Sequence, residues 1–165
     1  MIITLTGFMG CGKSSVGREL ASLLGWLFID LDEYIVHKAG RSIKDIIDDS
    51  EQRFRAMEAE ALRDVMIMRE IRQEDAVIAL GGGTVLNPES AALIQSNSKS
   101  VYLRAEAGTI LARLGGNCPE RPLFHSERIG DMIESRRTHY EKAAFTVDTD
   151  GKTVTQIANE IKELL

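Results

Sequence analysis

The run Gly7-Phe8-Met9-Gly10-Cys11-Gly12-Lys13-Ser14 has its glycines, lysine and hydroxyl at the spacing G-x-x-x-x-G-K-[ST]. That spacing serves one kind of chemistry. Glycines let backbone N–H groups turn inward toward phosphate oxygens with no Cβ in the way, and the positive end of a following helix stands behind them. Lys13 would reach the β- and γ-phosphates of a nucleoside triphosphate, and the Ser14 hydroxyl would be a magnesium ligand. The flanks agree. The apolar run Ile2-Ile3-Thr4-Leu5 reads as a buried strand entering the glycines, and Val16, Leu20, Leu23 and Leu24 then recur on one helical face.

Further along, Asp30 and Asp32 follow a second apolar run. Side chains two apart point the same way while strand geometry lasts. One carboxylate near Ser14 would support the shell of a magnesium ion, a hard cation that prefers oxygen. The other would orient or deprotonate an acceptor hydroxyl. Capping of a helix starting near Glu33 is the other role open to both. Arg55, one turn after Glu51, reads by itself as half of an exposed i,i+4 pair. Gly81-Gly82-Gly83 costs backbone entropy in a row, and close approach of a ligand to the backbone accounts for all three. The segment Gly115 to Leu123 has two prolines and no periodicity. It is a surface loop or, in a phosphoryl-transfer enzyme, a flap that excludes water and brings a cation onto the transferred group, with Arg121 as that cation.

These residues need a scaffold that brings them together, and the alternation of elements supplies one. Strands are expected over Trp26–Ile29, Ala76–Leu80, Ser100–Leu103 and Phe145–Val147, besides the first. Two short helices broken at Gly40 fill residues 33–48, with Ser42 as a cap. A longer helix runs from Glu51 to about Arg69 with Phe54, Met57, Ala61, Val65 and Met68 at helical spacing. Asn87-Pro88 caps the next helix. Thr153 opens the last, with Val154, Ile157, Ile161 and Leu164 on its apolar face. The pattern predicts a three-layer α/β/α fold with a five-stranded parallel sheet. Ligands on such sheets bind beyond the carboxyl ends of the strands, where the phosphate loop, Asp30/Asp32 and the triple glycine all fall.

Composition narrows the partners. The 165 residues make a single domain; 44% are hydrophobic and 27% charged, the balance of a globular chain. A net charge of −5 argues against nucleic acid or an anionic membrane as partner. There is no run long enough for a membrane span, and the first strand is too short for a secretory signal. Two cysteines, Cys11 and Cys118, make no disulfide framework, and the expected compartment is the cytoplasm. Cys11 fits the loop as a small residue, and beside Lys13 at a helix N-terminus its thiol is expected to react with thiol reagents until nucleotide covers it. The three histidines, His37, His125 and His139, are expected at the surface.

Taken in order, the motifs resemble the shikimate kinase family, of the nucleoside-monophosphate-kinase-like P-loop fold. The resemblance spans essentially the whole chain. It rests on Gly7 to Ser15, the Asp30-Leu31-Asp32 triplet, Glu51-Gln52-Arg53-Phe54-Arg55, the triple glycine, Arg121-Pro122-Leu123, and Arg136-x-x-x-Tyr140-x-x-x-Ala144. It implies transfer of the γ-phosphate of ATP to the 3-hydroxyl of shikimate, giving shikimate 3-phosphate and ADP on the route to aromatic amino acids. By that resemblance Asp32 acts on the 3-hydroxyl, and Arg55, Arg136 and the Gly82 backbone hold the substrate carboxylate. Lys13 and Arg121 act at the phosphates. Gly10, Cys11, Gly12, Ser14 and Ser15 complete the ATP site, with Arg113 and the stretch Asp148–Thr153 near the adenine. Mg2+ sits on Ser14, with Asp30 in its water shell. A lid over about 114–124, a substrate-binding helical region over about 32–62 and a monomeric state are implied too. Two positions depart from the family pattern: the segment before Arg121 lacks basic residues, and Leu31 stands where a small polar residue is common. Another small P-loop kinase, such as a gluconate kinase, and a non-catalytic nucleotide-binding module are the alternatives.

Overall fold

The computed structural model describes residues 1–114 and 128–165. Five strands, β1 (Ile2–Thr6), β2 (Leu27–Asp30), β3 (Ala76–Ala79), β4 (Lys99–Arg104) and β5 (Phe145–Asp148), form one sheet in the order β2-β3-β1-β4-β5. Every pairing is parallel. The helices are α1 (Lys13–Leu24), α2 (Leu31–Ala39), α3 (Ile43–Asp49), α4 (Glu51–Arg72), α5 (Pro88–Asn97), α6 (Ala107–Leu114), α7 (Ile129–Tyr140) and α8 (Val154–Glu163). They cover both sides of the sheet. Among the described residues no helix is long and apolar enough to cross a membrane.

The inner strands are apolar because both faces are covered. Ile3, Leu5, Val77, Ile78, Val101 and Leu103 have no exposed surface, each burial stabilising by about 1.5–3 kcal/mol relative to exposure. The helices begin on side-chain caps. Ser42 accepts from Asp45 N, Ser50 from Arg53 N and Asn87 from Ser90 N, while Thr153 and Gln156 form a capping box, each cap contributing about 1 kcal/mol. Gly40 ends α2 in the left-handed conformation, as the break after Ala39 requires.

Three details differ from the sequence reading. On α4 the buried stripe is Phe54, Glu58, Ala61, Leu62, Val65, Met66 and Arg69, so two charged residues occupy core-facing positions and Met57 and Met68 lie at its edge. Leu23 of α1 and Val154 and Leu164 at the ends of the last helix are exposed. The helix after β2 starts at Leu31, two residues earlier than expected. Strand geometry therefore stops at Asp30.

The strand order decides where chemistry gathers. With β2, β3 and β1 side by side, Asp30, Gly81 and Gly7 leave the sheet at adjacent carboxyl ends. Register fixes their level, since Ala79 pairs with both Leu5 and Asp30.

Candidate active site

The loop between β1 and α1 is held in a shape that favours glycine at three places, Gly7, Gly10 and Gly12. Gly7 has φ 142°, and a Cβ there would lie 2.6 Å from the Leu103 carbonyl oxygen. Gly12, with φ 100°, stands at the N-terminus of α1. Behind them Lys13 is 8% exposed and donates to the carbonyls of Gly7 at 2.8 Å and Phe8 at 3.0 Å. The lysine thus spans its own loop, with its charge available to an anion seated there. Cys11 is 1% exposed, its Sγ 3.9 Å from Lys13 Nζ. The thiol is a small packing group inside the loop, as the small-residue reading has it, and its burial runs against the ready access that labelling needs. Ser15 is exposed, and Arg113, from the end of α6, donates to the carbonyls of Cys11 at 3.1 Å and Gly10 at 3.3 Å.

The carboxylates after β2 divide their work. Asp30 is the N-cap of α2 and accepts from the backbone N–H of Asp32 at 3.0 Å and Glu33 at 3.3 Å through Oδ1. Its Oδ2 accepts from the Ser14 hydroxyl. Capping and a link to the phosphate loop, posed as alternatives for this residue, are performed together by its two oxygens. Asp32 lies in the first turn of α2. Its Oδ1 is 3.2 Å from the point where a Cβ on Gly81 would stand.

The glycine turn after β3 is the hub. A Cβ on Gly81 would fall 2.4 Å from Glu58 Oε1, and one on Gly83 would fall 2.4 Å from an Arg55 guanidinium nitrogen. These two glycines are therefore explained by side chains of α4, which corrects the reading that a ligand accounts for all three. Gly82 differs. A Cβ there would be in ordinary contact with Met9 N at 3.4 Å and an Arg136 nitrogen at 3.9 Å. Phosphate loop and Arg136 thus meet at this residue.

Arg55 has a closer partner than the one read from sequence. Glu51 lies 4.0 Å away and is exposed, whereas Glu58 Oε2 accepts from Arg55 at 2.9 Å. Glu58 is 2% exposed, and its other oxygen accepts from the Thr84 hydroxyl at 2.8 Å. A buried carboxylate bonded at both oxygens fixes the direction of a guanidinium whose side chain is 27% exposed. Arg136, on α7, stacks over the Phe8 ring at 5.6 Å from its centroid. Tyr140, one turn on, donates to the Gly82 carbonyl at 2.7 Å.

On the far side of the loop, Arg104 and Asp148 pair between β4 and β5, and the guanidinium holds the Asp148 carboxyl below its ordinary range. Thr149 and Asp150 tie the following loop to Arg104 O and Glu106 N.

The structure brings Lys13, Ser14, Asp30, Asp32, Arg55, Gly82 and Arg136 to one end of the sheet. Arg121, Cys118 and most of the expected lid (about 114–124) lie outside the described residues, as does His125. His37 is exposed and His139 half-buried. Sequence reasoning missed Glu58 and Thr84. The signal for Glu58 was a charge set four residues after Phe54 and four before Leu62, within the apolar stripe of α4.

A five-stranded parallel sheet whose first strand runs through a glycine-rich loop into the N-terminus of α1 defines a P-loop nucleotide-binding fold. The family model described as Shikimate kinase matches residues 9–165. The shikimate kinase of Thermus thermophilus is 44% identical over 99% of this chain and 89% of its own length. That of Geobacter sulfurreducens is 41% identical over 96% and 87%. The solved structure of shikimate kinase from Acinetobacter baumannii in complex with shikimate superposes with a TM-score of 0.89 at 30% identity, covering 99% of this chain and 91% of that one. The chain belongs to the shikimate kinase family, and it is a kinase that uses ATP to phosphorylate shikimate.

Proposed function

We propose that the phosphate loop binds ATP and that the pocket around the glycine turn binds shikimate, with the 3-hydroxyl as acceptor. The observation that carries this is the convergence of Asp32, Arg55 and Arg136 on Gly81–Gly83, in contact with the phosphate loop through Met9. In this reading Arg55 and Arg136 grip the substrate carboxylate with directed donors, and the Gly82 backbone completes the surface. Asp32 orients the 3-hydroxyl and takes its proton. The hydroxyl oxygen forms its bond to the γ-phosphorus as the bond from phosphorus to the ADP oxygen breaks. Lys13 moves from the carbonyls of its own loop to the β- and γ-phosphates, and Arg121 neutralises charge on the transferred group. Arg113 and the loop from Asp148 flank the adenine.

The Ser14 hydroxyl and the Asp30 carboxylate give hard oxygen donors beside the loop. Among the described residues no group of three His, Cys, Asp or Glu side chains could hold a metal. Two oxygens fit Mg2+, an ion that keeps several waters and takes substrate phosphates as ligands. Bound there, the ion would neutralise charge on the phosphates. A cytoplasmic monomer that needs neither nucleic acid nor membrane completes the reading, in accord with the net charge of −5.

A coupled ADP-release assay with shikimate, gluconate and nucleoside monophosphates tests it. ADP should appear with shikimate, require Mg2+ and be absent with gluconate. Release of ADP at equal rates with gluconate would overturn the assignment of the pocket.

A further inference from the structure

Tyr140 ends α7 with no exposed surface, and it is among the largest fully buried side chains. Its ring stacks on Tyr102 with centroids 5.2 Å apart and planes at 28°. Phenylalanine would serve that packing. The hydroxyl needs another explanation, because a buried O–H is costly unless it is bonded. It donates at 2.7 Å to the carbonyl of Gly82, 58 residues away in sequence.

That carbonyl lies in the most freely jointed backbone of the pocket, three glycines in a row. The carbonyls on either side are taken by the short 3-10 turn at Thr84–Leu86, since Thr84 N donates to Gly81 O and Leu86 N to Gly83 O. The middle carbonyl is held from across the molecule by Tyr140. Arg136 rises from the same helix one turn earlier; one of its nitrogens approaches the same glycine, and its guanidinium also faces the Tyr140 hydroxyl. One rigid helix therefore sets both an arginine of the pocket and the peptide beside it.

We propose that Tyr140 is a positioning residue for the acceptor substrate: by holding the Gly82 carbonyl it presets the glycine turn that the substrate carboxylate meets. The proposal rests on the acceptor-site reading given above. An untethered turn would be ordered at each binding event, which disfavours binding of shikimate and leaves ATP untouched. Burial keeps the phenol's pKa well above its ordinary value of 10, so the donor proton is present throughout the neutral range.

The test compares Tyr140→Phe with Tyr102→Phe, which alters the stacked partner, and with Arg136→Ala. Tyr140→Phe should raise KM for shikimate roughly 3- to 30-fold while KM for ATP stays within about twofold. Tyr102→Phe should change neither. Replacing Tyr140 by 4-aminophenylalanine restores a donor at the same place and should recover the shikimate KM. Hydrogen exchange at the Gly82–Thr84 amides gives a second reading without turnover, with faster exchange expected in Tyr140→Phe and protection regained on adding shikimate. A lowered melting temperature with unchanged shikimate KM and exchange, while Arg136→Ala does raise that KM, would leave the hydroxyl a structural role only and overturn the proposal. An unchanged shikimate KM in Arg136→Ala would overturn the acceptor-site reading itself.

Discussion

The two halves of the site are built by different means. The phosphate loop is eight consecutive residues whose donors are backbone N–H groups, shaped by Gly7 and Gly12 and closed by Lys13 on its own carbonyls. The half proposed to hold the acceptor draws Asp32 from α2, Arg55 and Glu58 from α4, the glycine turn after β3, and Arg136 and Tyr140 from α7. Its directions are set by side chains bonded to other side chains. A backbone cradle suits a phosphate chain common to many reactions. A carboxylate and a particular hydroxyl need donors whose angles are fixed one by one. Identity of the acceptor is therefore written in the second half, and each of its functional side chains needs a support: Glu58 for Arg55, Phe8 for Arg136, Asp30 for the start of α2 that bears Asp32.

The contrast is most easily broken at Asp32. Asp32→Asn keeps the shape and removes the charge proposed to accept the proton. Turnover at saturating ATP and shikimate should fall roughly 10²–10⁴-fold, the usual share of a positioned base. Near-normal turnover would take Asp32 out of the chemistry and leave it a residue of the α2 first turn. Next in size is Arg55→Ala, which should weaken shikimate binding by about 2–5 kcal/mol, because a charge pair loses one member and Glu58 is left buried. ATP affinity, measured on the same protein by calorimetry, should hold. Equal loss for both ligands would mean a folding defect and dissolve the distinction between the halves.

The same contrast governs how much could be read in advance. The phosphate loop was legible because its residues are contiguous and their spacing is the mechanism. The parallel sheet was legible from short apolar runs between helices, and the strand ends gave the crevice. Asp30 was harder. A carboxylate after an apolar run looks like strand until the N–H groups it caps are known, and these belong to residues that the run itself does not predict. Glu58 was hidden by its own helix, since a periodic apolar stripe invites the eye to skip the charged member. The triple glycine was read as room for a ligand, when two of its members make room for Glu58 and Arg55. Side chains some 25 positions earlier set that need, and local pattern does not carry it.

The glycines offer a finer cut. Gly82→Ala places a methyl in ordinary contact with the loop and Arg136, so the fold should keep its stability to within about 0.5 kcal/mol. Shikimate KM should rise about tenfold or more as the methyl enters the space of the carboxylate. Gly81→Ala drives a Cβ into the buried Glu58 carboxylate and should destabilise the protein by about 1–3 kcal/mol, the usual range for overpacking. Thermal melts and shikimate kinetics on both variants separate the cases. If both lose stability alike, the three glycines share one structural role and the division drawn among them fails.

The smallest effect at neutral pH concerns the tyrosines that support the acceptor half. Burial raises the pKa of Tyr140 well above 10, with Arg136 pulling the other way, and burial also raises that of Tyr102. An unfolded tyrosine titrates near 10. The stability these phenols contribute is therefore complete below about pH 10 and is lost as the pH climbs from there toward their folded values. Each such proton contributes a slope of up to about 1.4 kcal/mol per pH unit. At pH 8 the wild-type protein should exceed Tyr140→Phe by the worth of one hydrogen bond, about 1 kcal/mol. Above pH 10 the gap should narrow and then invert, because the variant has no phenol at 140 to ionise on unfolding. Lys38, held by Glu60 and Asp64, adds its own alkaline decline, but equally in both proteins. Urea midpoints at pH 8, 9, 10 and 11 would show the crossing. Parallel declines in wild type and Tyr140→Phe would mean that the phenol is reached by water in the folded state. The support of the glycine turn by a sealed hydrogen bond would then have to be given up.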